Sequence, residues 1–225
     1  MLAIPIQSGL PIARMELLDA LSVRACNAYA KLKLPETPML LVEFHGSERG
    51  VVEQAQNFGL IAAEHRGGPL AWAVKPEERT KLWQARHDAA FAMTTLRPGA
   101  QIFATDACVP ISRLADCVEE TLADIAASGL VAPIVGHVGD GNFHVSPLVD
   151  MGDAREIEAA DAFASRLARR AITMGGTCTG EHGIGQKKMA YMEAEHGPAA
   201  LDLMRRIKAA FDPMNLFNPG KVFPI

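Results

Sequence analysis

Apolar and polar positions along this chain repeat with two different periods, and the changes of period mark its elements. Over residues 14–33, Met15, Leu17, Leu18, Leu21, Val23 and Tyr29 recur among charges, which predicts a helix ended by Pro35. Residues 38–44 form a short apolar run and read as a strand. Ser47 offers an N-cap oxygen to a helix reaching about Phe58, with Gly59 closing it. Residues 71–74 read as another strand. Pro76 suits a first helical turn, and Glu77 and Glu78 suit its positive end, so a long helical segment follows through Leu82, Trp83, Arg86, Ala90, Met93 and Thr94. Arg97-Pro98-Gly99 breaks it, residues 102–109 return as a strand, and a helix runs from Ser112 to about Ser128, where Gly129 stops it. The longest predicted helix covers 153–174, with Ile157, Ala160, Phe163, Leu167 and Ala171 as its stripe. Residues 187–195 and 198–211 fit two more helices, and 212–224 is irregular and apolar. Strands and helices in this irregular order predict an α+β fold, an antiparallel sheet with helices packed on one face of it.

One stretch follows neither period: His137-Val138-Gly139-Asp140-Gly141-Asn142-Phe143-His144. Its glycines disfavour a helix, and the apolar runs at 131–136 and 143–149 read as the two strands of a hairpin. Asp140-Gly141 is a favoured two-residue type I′ turn, which sets Gly139 against Asn142, Val138 against Phe143 and His137 against His144. Opposed Cβ atoms lie roughly 4.5–5.5 Å apart. Two imidazoles so placed can grip one divalent metal at about 2.0–2.1 Å each. Glu181, in Gly180-Glu181-His182-Gly183, is the candidate third ligand. Such a set leaves coordination positions open for substrate and suits Zn²⁺, Mn²⁺ or Fe²⁺. The bland alternative is a hairpin with two solvent-facing histidines and an unrelated glutamate.

Composition narrows the classes. The 225 residues, 49% apolar and 21% charged, suit one large domain or two small ones with a sizeable core. A net charge of −4 without a run of Lys or Arg gives no footprint for nucleic acid. No 18 consecutive apolar residues occur, so no membrane-spanning helix is expected. Residues 1–6 lack a basic region and break at Pro5, which argues against a signal peptide. Cys26, Cys108, Cys117 and Cys178 show no C-x-x-C spacing, so free thiols in a reducing compartment are expected. That compartment reads as the cytoplasm, or the surface of the inner membrane. Cys178 is a minor candidate for a soft metal ligand.

His182 follows Glu181 and therefore points elsewhere, either as a general base beside the metal or as a loop cap. Arg86 can hold a carboxylate through two parallel hydrogen bonds, or pair with Asp88 or another surface acid. There is no G-x-S-x-G, H-E-x-x-H, Walker loop or dinucleotide fingerprint. A hydrolytic metalloenzyme with a metal-bound water, and a non-catalytic module that binds a small ligand or assembles subunits, both remain open at this point.

Five stretches carry a resemblance. They are Leu82-Trp-Gln-Ala-Arg86-His, the run from Ala104 to Leu114, Gly136 to His144, Gly175 to Gly185, and Asp212 to Val222 with its Asn218-Pro-Gly-Lys. In this order they resemble the C-terminal half of FAD-linked D-2-hydroxyacid dehydrogenases of the vanillyl-alcohol oxidase superfamily. That group includes cytochrome-linked D-lactate dehydrogenase, glycolate oxidase large subunit and D-2-hydroxyglutarate dehydrogenase, and the 105–113 run is most similar to the D-lactate branch. The resemblance implies that residues 1–225 are one cap or substrate domain, whose apolar tail at 211–225 faces an N-terminal FAD-binding domain not found here. It implies His137, His144 and Glu181 as metal ligands, His182 as proton acceptor, Arg86 as substrate-carboxylate clamp and Asn218 as a residue near the flavin. The implied partners are a small 2-hydroxy acid and an electron acceptor such as a quinone or cytochrome, while the apolar tail itself is expected to be mobile or covered by a second copy of the chain in a homodimer. Ala90 and Ser146 depart from relatives at positions near substrate and leave its side chain open.

Overall fold

The computed structural model describes residues 4–223, so the first three residues of the expected leaderless start and the last two of the expected tail lie outside it. A single helical turn, α1 (Ile4–Gln7), leads into β1 (Ile12–Leu18), α2 (Ala20–Ala30), β2 (Met39–Phe44) and α3 (Glu48–Glu64). Next come α4 (Pro76–His87), α5 (Ala89–Met93), β3 (Gln101–Ile102), β4 (Ala107–Cys108) and α6 (Ile111–Ser128). The hairpin β5 (Ile134–Gly136) and β6 (Asn142–Val145), then β7 (Leu148–Val149), α7 (Ala154–Thr173) and α8 (Met192–Phe211), complete the described chain. The strands form an antiparallel five-stranded sheet in the order β2-β1-β5-β6-β4, and β3 pairs with β7 beside it. The fold is α+β.

The first quarter of the first predicted helix is a strand, and Ala20–Ala30 within it is helical. β1 is paired on both sides, by β2 and β5, and that demand overrides the local helical spacing. Asp19 then caps α2, its side chain accepting from Ser22 N at 2.7 Å, and Lys31 ends that helix in a left-handed conformation. α3 is capped by Ser47 as expected but runs through Gly59 to Glu64. Residues 71–74 join no strand among the described residues and leave Trp72 and Val74 exposed. The long segment from Pro76 bends at Asp88 into two helices. Residues 102–109 split between two sheets, because β3 pairs with β7 while β4 pairs with β6. α6 and α7 lie where the pattern put them, and Gly129 ends α6 with φ of 68°. The helix predicted at 187–195 forms from Met189, as a 3-10 turn that runs into the first part of α8, and α8 breaks at Gly197 before Pro198 starts its second part, the second predicted helix.

Helices cover both faces of the sheet, not one. Met15, Leu17, Ile134, Phe143 and Val145 pack against Phe58 of α3, Leu114 of α6 and Phe163 and Leu167 of α7. On the other face Leu18 and Val135 meet Val23 and Cys26 of α2 and Ala89, Ala92 and Met93 of α5. Strand side chains alternate between faces. Glu16 therefore shares the second face with Leu18, and His144, opposite Val135, lies on it too.

Candidate functional site

The hairpin forms, but its register differs from the expected one by two residues. Ile134 faces Val145 and Val135 faces His144, and Asn142 N donates to His137 O at 3.3 Å. The loop therefore has four residues, Val138 to Gly141, and of the Asp140-Gly141 pair only Gly141 has a positive φ, which excludes the type I′ turn. A side chain added at Gly141 would meet Val109 O at 2.1 Å, so close approach of β4 sets the loop instead. A two-residue shift keeps every side chain on its face. His137 and His144 therefore still converge, diagonally, with ring centroids 5.7 Å apart and planes at 85°.

Glu181 completes the cluster. Its Oε1 lies 3.0 Å from His144 Nε2 and 3.7 Å from His137 Nε2. One ligand atom from each of the three lies within 4.8 Å of the others, the spacing of a metal-holding group. Both rings are fixed from behind: His137 Nδ1 meets Glu16 Oε1 at 2.7 Å, and His144 Nδ1 meets Thr105 O at 3.2 Å. Those oxygens can only accept, so each Nδ1 donates, and in the neutral ring each Nε2 turns its lone pair towards Glu181. Two imidazole nitrogens and a carboxylate oxygen thus face one another, a donor set able to hold a metal ion. The hydrogen bond that His137 donates to Glu16 raises the His137 pKa above that of an ordinary imidazole, against partial burial. Burial lowers that of His144.

The loop bearing Glu181 and His182 is held by Asp106, whose side chain is fully buried. Oδ2 accepts from Thr179 Oγ1 at 2.9 Å, Glu181 N at 3.0 Å and His182 N at 2.9 Å, while Oδ1 accepts from Asn142 Nδ2 at 2.7 Å. Burial alone would raise its pKa, yet these bonds, led by that from His182 N, hold the carboxyl far below the usual range. Gly180 has no room for a side chain, since a Cβ there would lie 1.8 Å from Asn142 Nδ2. A second strap joins Cys108 and Thr177 through a pair of backbone bonds at 2.8 and 3.2 Å.

His182 stands beside the claw as expected, stacked on His144 at 4.9 Å with planes 9° apart, its Nε2 3.8 Å from Glu181 Oε1. Arg86 pairs not with Asp88 but with buried Glu16, through Nε at 3.1 Å and Nη2 at 3.0 Å. Asn218 is not gathered with the claw; it is exposed, with φ of 47°. Buried Asp212 organises its turn, accepting from Leu216 N and Phe217 N and pairing with Lys208. Cys178 is not gathered with the claw. It is buried, and burial, aided by Glu195, pushes its thiol up to about 12. All four cysteines are free. A half-open cleft of about 570 Å³ borders the claw, lined among others by Leu10, Arg14, Glu16, His137, Asn142 and Glu181.

Two residues in this arrangement, Glu16 and Asp106, were not singled out by sequence reasoning. Glu16 lay inside the misread helix, although the alternation Arg14-Met15-Glu16-Leu17 followed by a capping Asp19 is a strand-then-helix signal. Asp106 offered no local signal, since its partners lie more than 30 residues away.

The family model described as FAD linked oxidases, C-terminal domain, matches residues 3–222. The chain belongs to this family. This FAD-linked oxidase C-terminal domain is 48% identical over 98% of its length to a protein of Danio rerio named probable D-lactate dehydrogenase, mitochondrial, of which it covers 44%. It is 39% identical over 96% of its length to the cytochrome D-lactate dehydrogenase of Arabidopsis thaliana mitochondria, of which it covers 38%. The domain thus spans less than half of these relatives, and their mitochondrial names lend the cytoplasmic expectation no support. Its fold matches 4-ethylphenol oxidase from Gulosibacter chungangensis in complex with isoeugenol, with a TM-score of 0.64 at 16% identity, covering 99% of this chain and 51% of that one. No helix among its described residues is long and apolar enough to cross a membrane.

Proposed function

We propose that this chain is the metal- and substrate-binding part of an FAD-dependent D-2-hydroxyacid dehydrogenase of the D-lactate kind, oxidising a 2-hydroxy acid to a 2-oxo acid. The observation that carries this reading is the claw of His137, His144 and Glu181, with both Nδ1 atoms already committed elsewhere. A divalent Zn, Mn or Fe ion fits that donor set and would be held by those three side chains. When bound, the ion supplies Lewis-acid polarisation of a hydroxyl oxygen and the flavin supplies a hydride acceptor.

The chain's own residues supply binding, orientation and proton transfer. Glu16 occupies Nε and Nη2 of Arg86, and the Nη1 edge of the fork takes the substrate carboxylate. That contact fixes the substrate against the claw. His182 accepts the hydroxyl proton at Nε2, the nitrogen that faces Glu181. Its stack on His144 restrains the ring angle and excludes water from one face. Asn218 and the exposed apolar residues Phe211, Met214, Leu216 and Phe217 suit a surface that meets a flavin-binding domain in a longer protein. The electron acceptor, a quinone or cytochrome, is reached through that domain.

The test is elemental analysis of the chain equilibrated with Zn²⁺, Mn²⁺ or Fe²⁺, followed by calorimetric titration with D-lactate and glycolate. We expect one equivalent of metal, lost in His137→Ala, His144→Ala and Glu181→Ala, and hydroxy-acid binding that requires the metal. Full occupancy in His144→Ala would sink the claw. Metal without any hydroxy-acid affinity would sink the substrate assignment. In a protein joining this chain to its flavin domain, His182→Ala is expected to lower kcat about 10²- to 10⁴-fold with metal content unchanged.

A further inference from the structure

We propose that Glu16 is a positioning residue that joins the cation claw to the anion clamp, orienting His137 for metal with one carboxylate oxygen and Arg86 for a substrate carboxylate with the other. The inference rests on the function proposed above. Glu16 is 4% exposed and lies in β1, a strand paired on both sides, so its Cα and the direction of its side chain are set by the sheet. Continuing the pairing of Leu17 with Gly136 by one residue sets Glu16 directly opposite His137. Its two oxygens divide the work: Oε1 meets His137 Nδ1 at 2.7 Å, and Oε2 takes Arg86 Nε at 3.1 Å and Nη2 at 3.0 Å. The other charge facing it is Arg14, whose Nε is 4.0 Å from Oε1.

The chemistry follows from what a carboxylate can do. It cannot donate, so it holds a proton of His137 on Nδ1 and, in the neutral ring, makes Nε2 the nitrogen that ligates. It holds the guanidinium plane by two of its three edge nitrogens, which turns the remaining edge outward. An ion pair serving stability alone would need Arg86 only; here one oxygen is given to the ligand. Because one rigid group bears both partners, a shift at either is passed to the other.

The experiment compares the wild-type chain with Glu16→Gln and Glu16→Asp in Zn²⁺ affinity, measured by competition with a chelating indicator. It also compares the ¹⁵N shifts of the metal-free His137 ring and the melting temperature. Glutamine must set an NH₂ against His137 or Arg86, so Zn²⁺ binding is expected to weaken about 10- to 100-fold and His137 to lose its single Nδ1–H form. Aspartate keeps the charge but cannot span both partners, so it falls between and also reads the effect if the glutamine variant does not fold. Unchanged Zn²⁺ affinity and tautomer in both variants, whatever the melting temperature, would overturn the proposal and leave the claw standing. Failure of the wild-type chain to bind Zn²⁺ would overturn the claw and the proposal together.

Discussion

A buried carboxylate that accepts four hydrogen bonds cannot become an amide without setting donor against donor. Asp106 is such a residue, with Thr179, Glu181, His182 and Asn142 all donating to it. Asp106→Asn is expected to lower stability by about 3 kcal/mol and to free the loop carrying Glu181 and His182. Urea unfolding reads the first effect. Amide exchange at residues 180–183 reads the second, and protection there equal to wild type would contradict it. Of the six candidate site residues the structure gathers His137, His144, Glu181 and His182, and all four sit in glycine-rich stretches that stand out in the sequence. Glu16 and Asp106 act at a distance in sequence, across 121 and 76 residues to His137 and His182, and no spacing rule reaches that far.

At the level of elements, periodicity succeeded where a helix stands alone against the sheet and failed where pairing competes with it. α6 and α7 are amphipathic over their whole lengths, and both lie within a residue or two of their expected bounds. β1 was misread because its alternation is short and runs straight into the apolar positions of α2, so that the two together fit one helical stripe. The hairpin was legible in kind but not in register, since the packing of Gly141 against β4, not turn preference, decides the loop. α7 also carries the clamp that ties it to the segment before β3. Arg97 meets Glu156 at 2.6 and 2.8 Å and Leu148 O at 3.0 Å, and Asp150 N donates to the same carboxylate. The bond from Arg97 lowers the Glu156 pKa from 4.5 to about 2. A depressed folded pKa gives stability that is present above the unfolded value and lost as pH falls through the folded one. Glu156→Gln is therefore expected to melt lower than wild type at pH 7 and to show a shallower fall between about pH 4.5 and pH 2. Parallel curves for the two proteins would refute the clamp.

For the whole molecule, one end is notably apolar. Phe211 is 85% exposed, Met214 76%, Phe217 69% and Leu216 66%. Patches of this kind on a soluble chain mark surfaces that are normally covered. Phe211→Ser with Phe217→Ser is expected to reduce binding of a hydrophobic dye by the folded chain, with little change in melting temperature. A fall of many degrees would mean that these rings support the fold and do not serve a neighbour. Sequence alone exposed the apolar character of this tail but not its order, which depends on the buried Asp212 and on a return contact to the middle of the chain.

That return contact has a practical side. Val222 N donates to Gly185 O at 2.7 Å, just beyond His182, so the C-terminal end is stitched to the loop carrying the proposed base. Cleavage after Lys221 would release that tether, so a preparation nicked there is expected to show faster amide exchange at Gly185 than the intact chain.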